Sequence, residues 1–207
     1  MADQVQVYIS AADDLGFERE VMGRAITEIP TSLAWRVTQT PSGSDQPDLE
    51  AVSQADVHVL LLASDVRAPV GVEWMIARRT GRLPVLLLKS NINRTQAAQA
   101  FIRELERYTV WHIFRDAVDL RKRFLSILAD HILSDRERYS LSDEEFTKLN
   151  SWLKDLLKEN NAKVDETRGG ADKSSIIFST ERYVPSEGVL IHNPDQPDEG
   201  PDITSKG

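Results

Sequence analysis

The feature that most constrains this chain is a nine-residue run, Ala55-Asp56-Val57-His58-Val59-Leu60-Leu61-Leu62-Ala63, in which apolar residues follow one another with almost no alternation. A strand with one wet face would alternate. A run this continuous suits a strand covered on both faces, as in a parallel sheet between two layers of helix. Leu83–Leu88 (LPVLLL) is a second such run, with Pro84 at its entry, where a missing N–H is tolerated.

The flanking segments change period from two to three or four. In Gln4–Ser10, Val5, Val7 and Ile9 share one face and Gln6, Tyr8 and Ser10 the other, which is a strand. In Ala11–Ile29, Leu15, Met22, Ala25, Ile26 and Ile29 recur at helical spacing, and Asp13 and Asp14 stand where a cap and first-turn acids belong. Leu33–Val37 reads as a second strand, Thr40–Gln46 (TPSGSDQ) as a polar loop and Leu49–Gln54 as a short helix. Pro69 opens a helix that runs to about Thr80, where Gly81 stops it. Thr95–Tyr108 is helical, Thr109–Phe114 strand-like and Ala117–Leu133 helical. Alternation of this kind predicts an α/β domain over residues 1–138: an open, mostly parallel five-stranded sheet with helices on both faces.

Beyond residue 138 the character shifts. Residues 139–160 hold an amphipathic helix beginning SDEE, with Phe146, Leu149, Trp152, Leu153, Leu156 and Leu157 at helical spacing. It can pack on the domain, or it can dock a partner through Trp152 and Leu156. Residues 161–207 read as a polar linker and an acidic, Pro-rich tail. Within it the β-prone island Gly188–Ile191 could add Val189, Leu190 and Ile191 to a partner's sheet edge.

Composition removes several function classes. With no cysteine there is no disulfide framework, thiol catalysis or thiolate metal site, and four scattered histidines make a poor metal set. A formal charge of −8 opposes general nucleic-acid binding. No apolar run approaches the ~18–20 residues that cross a bilayer, and the N-terminus lacks a basic signal-peptide start. The expectation is a cytoplasmic protein with no membrane association. G-x-G-x-x-G, G-x-x-x-x-G-K-[ST], G-x-S-x-G and H-E-x-x-H are all absent, so dinucleotide, NTP, serine-hydrolase and zincin readings lack support.

In open parallel sheets ligands bind at the carboxyl ends of the strands, here the loops Ser10–Asp14, Ser64–Pro69 and Lys89–Arg94. On a helical wheel Glu73 lies about 60° from Val70, on the flank of the apolar stripe with Trp74 and Ala77. A carboxylate there needs a partner or a task. It can serve a site, or it can be a structural glutamate stabilised by the helix N-terminus and paired with Arg67 or a backbone group. Ser10, Asp13 and Asp14 could bind ribose hydroxyls, or Asp13 and Asp14 could simply cap the first helix. Asp65 is a second acid near the pocket. Arg67 could hold a phosphate, or be the counter-ion of Asp65 or Glu73. Asp56 reads as a residue that turns the chain into its strand. Trp35, Trp74, Trp111 and Trp152, one per element, form a core pattern.

Ile9-Ser10-Ala11, the start Asp14-Leu15-Gly16-Phe17-Glu18-Arg19, Glu73 on its helix and Gly81-Arg82-Leu83-Pro84-Val85 occur in that order. Over roughly residues 4–115 the chain resembles a bacterial TIR-like family, the domain of unknown function numbered four thousand and sixty-two. That family is similar in turn to TIR domains and nucleoside 2-deoxyribosyltransferases. The resemblance implies a flavodoxin-like sheet and, in catalytic relatives, a glutamate on this helix that serves cleavage of an N-glycosidic bond in NAD or a nucleoside. Glu73 carries over as that glutamate, with Ser10 and Asp14 near the ribose and Asp65 as a loop acid. Ala11 stands where the family often has a second serine, and Gly71-Val72 stand in place of a Trp-Cys pair before the glutamate.

Three functions follow as expectations. The first is a TIR-like signalling or interaction module of a bacterial multi-protein system, of defence or stress type, acting through a protein partner or self-assembly. The second is an N-glycosidase for NAD or a nucleoside that uses Glu73. The third is a nucleotide-ligand sensor. None requires a cofactor; NAD or a nucleotide enters as substrate or ligand. In the glycosidase, a carboxylate would stabilise the oxocarbenium character that develops at C1′.

Overall fold

Both apolar runs become inner strands of a single sheet in the computed structural model, which describes residues 4–41 and 46–166. The strands are β1 (Gln4–Ala11), β2 (Ala34–Gln39), β3 (Val57–Leu62), β4 (Val85–Lys89) and β5 (Trp111–Phe114). They lie in the order β2-β1-β3-β4-β5, and every neighbouring pair is parallel. This is the flavodoxin-like arrangement, in which the order reverses between β1 and β3. The helices are α1 (Gly16–Ala25), α2 (Leu49–Gln54), α3 (Ala68–Arg79), α4 (Gln96–Leu105), α5 (Ala117–Ser134) and α6 (Asp143–Glu166).

The strand period sorts the core into two layers. Val5, Val7 and Ile9 of β1 and Val57, Val59 and Leu61 of β3 pack with Met22 and Ala25 of α1 and with Leu120, Phe124, Leu125 and Leu128 of α5. The alternate residues face the other way. Leu60 and Leu62 of β3 and Leu86 of β4 pack with Val70 and Trp74 of α3 and Leu105 of α4, while Tyr8 packs with Val52 of α2 and Ala77 of α3. Every residue of β3 is buried, as the unbroken run demands.

Helix starts follow capping chemistry. Asp48 accepts from Ala51 N–H, Thr95 from Ala98 N–H, and Asp116 from both Val118 and Asp119 N–H. Pro69 sits in the first turn of α3, and Gly81 follows its end at φ +72°. Ser142 and Glu145 form a reciprocal capping box at α6: Glu145 N–H donates to Ser142 Oγ and Ser142 N–H to Glu145 Oε2, each at 3.2 Å. Glu145 Oε1 also accepts from Ser32 Oγ at 2.6 Å. Chiefly through that hydroxyl, the Glu145 carboxyl is held down to about 2.

Several boundaries differ from the pattern, among them that of α6, which continues to Glu166 where a linker was expected from residue 161. The expected first helix is broken into a 3-10 turn (Asp13–Leu15), α1 and a second 3-10 turn (Ile26–Glu28) that tucks Ile26 and Ile29 under the sheet before Pro30. β5 begins only at Trp111, because the closing turn of α4 holds Thr109, whose N–H bonds Leu105 C=O at 3.2 Å. β2 runs on to Gln39, in register with Ile9 of β1. Leu149, Leu153 and Leu156 of α6 join the same core as α1 and α5.

Candidate functional site

The reversal between β1 and β3 brings the carboxyl ends of these strands together, and the loops there are joined by their own polar side chains. Asp14 Oδ2 accepts from Ser64 N–H at 3.1 Å and also from Ser64 Oγ. Arg67 donates to Asp13, so its partner is neither Asp65 nor Glu73 as the sequence suggested. Asp65 Oδ1 accepts from Thr95 Oγ1 at 2.6 Å and from Val66 N–H at 2.9 Å. Those two bonds, with the charge of Arg67, lower its pKa against a small opposing effect of burial. The rim thus holds Asp14, Asp65 and Arg67, each bound to a neighbouring loop or to its own.

Glu73 lies beneath this rim and is fully buried. It sits in the second turn of α3, over β1, where the pleat turns Tyr8 and Ser10 toward the helix. Tyr8 OH donates to Oε1 at 2.7 Å and Thr40 Oγ1 to Oε2 at 2.7 Å. Thr40, at the end of β2, is itself fixed: its Oγ1 accepts from Ala11 N–H at 3.1 Å and its carbonyl from Arg19 Nη1 at 2.9 Å. Burial raises the Glu73 pKa, while the hydroxyls of Ser10, Tyr8 and Thr40 and the Arg19 charge oppose that rise. Burial first, and Glu73 second, push the Tyr8 phenol upward.

The cluster extends to β3. Ser10 Oγ lies 2.8 Å from His58 Nε2, and the Tyr8 and His58 rings meet edge to face at 5.5 Å between centroids. Burial lowers the His58 pKa to about 4, so the ring is neutral at pH 7.

Of the residues singled out by sequence, the structure brings together Ser10 and Glu73. It leaves Asp14, Asp65 and Arg67 on the rim, in bonds that do not reach Glu73. Leu156 is buried in the core and Trp152 is half-buried beside it. Val189, Leu190 and Ile191 lie outside the described residues. Asp56 does more than turn the chain: it accepts from Gln6 N–H at 2.8 Å and pairs with Arg138. Tyr8, Thr40, His58 and Arg19 were not anticipated. For Tyr8 and His58 the available signal was a polar group on an inner face of a strand otherwise buried, since such groups must find partners; Thr40 and Arg19 carried no such signal.

Glu73, with both carboxylate oxygens bonded and no exposed surface, joins β1, the end of β2 and α3. Among the described residues no group of three or more histidine, aspartate or glutamate side chains is placed to hold a metal ion. No described helix is long and apolar enough to cross a membrane. No family model matches the chain, and no curated protein matches it. One solved structure similar to it is titled "Crystal structure of CapF with inhibitor 3-isopropenyl-tropolone". The match has a TM-score of 0.37 and 22% identity, and spans 55% of this chain and 31% of that one.

Proposed function

We propose that the chain is a TIR-like interaction module of a bacterial multi-protein system, of defence or stress type, which acts by binding a partner or assembling. The observation that carries this reading is the Glu73 carboxylate. It is fully buried and takes hydroxyl protons from β1 and the end of β2, so its task here is to lock elements together. A ribosyl C1′ needs a carboxylate at van der Waals distance, and this one presents no surface to it. A surface that suits a partner lies on α6, where a groove of about 790 Å³ is lined by Pro30, Trp152 and the charged Asp143, Glu144, Lys148 and Asp155. Asp143 is paired with Arg136 and Asp155 with Lys158, so the groove offers a partner a half-buried indole within a rim of mixed charge.

The second reading, an N-glycosidase, is favoured by the placement of Ser10 and Glu73 in one cluster near the strand reversal. It requires α3 or the end of β2 to move and uncover Glu73. One assay separates the two: NAD consumption by the concentrated chain beside Glu73→Gln, read by chromatography. The module predicts no nicotinamide release from either protein and a lower unfolding midpoint for the variant. Release that disappears in Glu73→Gln would establish the glycosidase instead.

A further inference from the structure

β5 ends the sheet on the β4 side, and its pairing with β4 decides which of its backbone groups are free. Phe114 C=O accepts from Ser90 N–H at 2.8 Å, so Phe114 turns its backbone groups toward β4. Backbone direction alternates along a strand, so His112 does the same. Trp111 and Ile113 turn their N–H and C=O groups outward, where no described strand takes them up.

The side chains along this margin are apolar. Val110, Ile113 and Val118 are each more than half exposed and fall within nine residues. Single exposed apolar residues need no account, but three beside an open strand do.

Charge selects the occupant. Glu104 takes Arg78 and Arg107, and Asp119 takes Arg123. That leaves exposed Glu106, in the turn before β5, and exposed Arg115, directly after it, with no ion-pair partner among the described residues. A negative group before the strand and a positive group after it complement themselves across a two-fold axis. An antiparallel copy sets the start of one β5 beside the end of the other.

The free backbone groups also fix the register. Pairing Ile113 with Ile113 of a second copy would draw on Arg115, whose N–H already donates to Asp119 Oδ2 at 3.1 Å. Pairing Trp111 of each copy with Ile113 of the other uses only outward groups that are free. It sets His112 opposite His112, with Cα atoms about 4.5 Å apart.

We propose that two copies of this chain associate through β5, antiparallel about a two-fold axis at His112, joining their sheets into one. Each copy spends the same margin, so two copies complete the assembly. The proposal rests on the assembling form of the module described above, and docking of another protein on α6 is independent of it.

The chain has no cysteine, so a single introduced thiol reports this pairing alone. His112→Cys should form a disulfide-linked dimer under mild oxidation, since about 4.5 Å between Cα atoms suits a disulfide. Ile113→Cys, one residue along and on the other face, should give at least about tenfold less in the same time. Sedimentation of the unmodified full chain should show monomer and dimer in exchange, with a Kd on the order of 50 µM for so short an interface. Arg115→Glu should weaken association about fivefold, and Glu106→Arg in the same chain should restore it. Both positions are exposed, so circular dichroism should show the fold unchanged. A chain that stays monomeric at about 500 µM would overturn the proposal and leave the margin to a strand of another protein, with the α6 surface untouched. Equal disulfide yields from His112→Cys and Ile113→Cys would also overturn it, because random collision does not distinguish the two positions.

Discussion

At the scale of single residues, a buried carboxylate must be repaid for the hydration it loses. Glu73 obtains that from the hydroxyls of Tyr8 and Thr40, and His58 closes the cluster as a neutral ring. The two groups impose opposite pH dependences. The folded pKa of Glu73 is raised, so its contribution falls as pH rises from its ordinary 4.5 through the folded value. The folded pKa of His58 is lowered, so stability is lost as pH falls from 6.5 to about 4, and the unfolded chain takes up the proton first. That limb is worth on the order of 3 kcal/mol. His58→Gln, whose amide N–H can still reach Ser10, should flatten it. Urea midpoints of both proteins at pH 4.5 and 7 would measure the difference, and parallel profiles would refute the assignment. Ser10 and Glu73 were legible because strand period and helical wheel each place a polar group on an inner face. Thr40 was not, because TPSGSDQ has a loop's composition; only the register that pairs Ile9 with Gln39 carries Thr40 over β1.

At the scale of elements, apolar periodicity located the five strands and six α-helices of the described residues, and the boundaries moved where hydrogen bonds compete. The turn that ends α4 captures Thr109 and shortens β5, a contest between two local structures that no periodicity can report. The two readings of the amphipathic helix divide within α6 itself. Leu149 is fully buried against the core, whereas Trp152 is half-buried and borders the groove on α6. Leu149→Ala should cost roughly 3 kcal/mol and Trp152→Ala about half of that. Chemical denaturation checks the order, and a Trp152 cost equal to or above that of Leu149 would place the indole in the core.

For the whole molecule, the sequence implied a parallel sheet because Ala55–Ala63 and Leu83–Leu88 have no wet face. Strand order was a different matter, since it depends on which side of the sheet each connection crosses. α1 and α5 cover one face and α2, α3 and α4 the other. Because α6 shares the core of α1 and α5, the described elements should unfold together. Trp35 reports from β2, Trp74 from α3, Trp111 from β5 and Trp152 from α6. Single-tryptophan variants should therefore give coincident denaturation curves by fluorescence and circular dichroism. An earlier transition for Trp152 alone would mean that α6 detaches as a separate unit.

The four-residue length of β5 has one more consequence. It forms an outer margin of the sheet, and unsatisfied backbone along such a margin is a template on which foreign chains can grow. A segment of four residues offers only about 13 Å of template, with the apolar Ile113 exposed along it. By closing its last turn over Thr109, α4 thus trims one of the two margins of the sheet, the other being β2, and a helix terminus acts there as a guard against fibre formation.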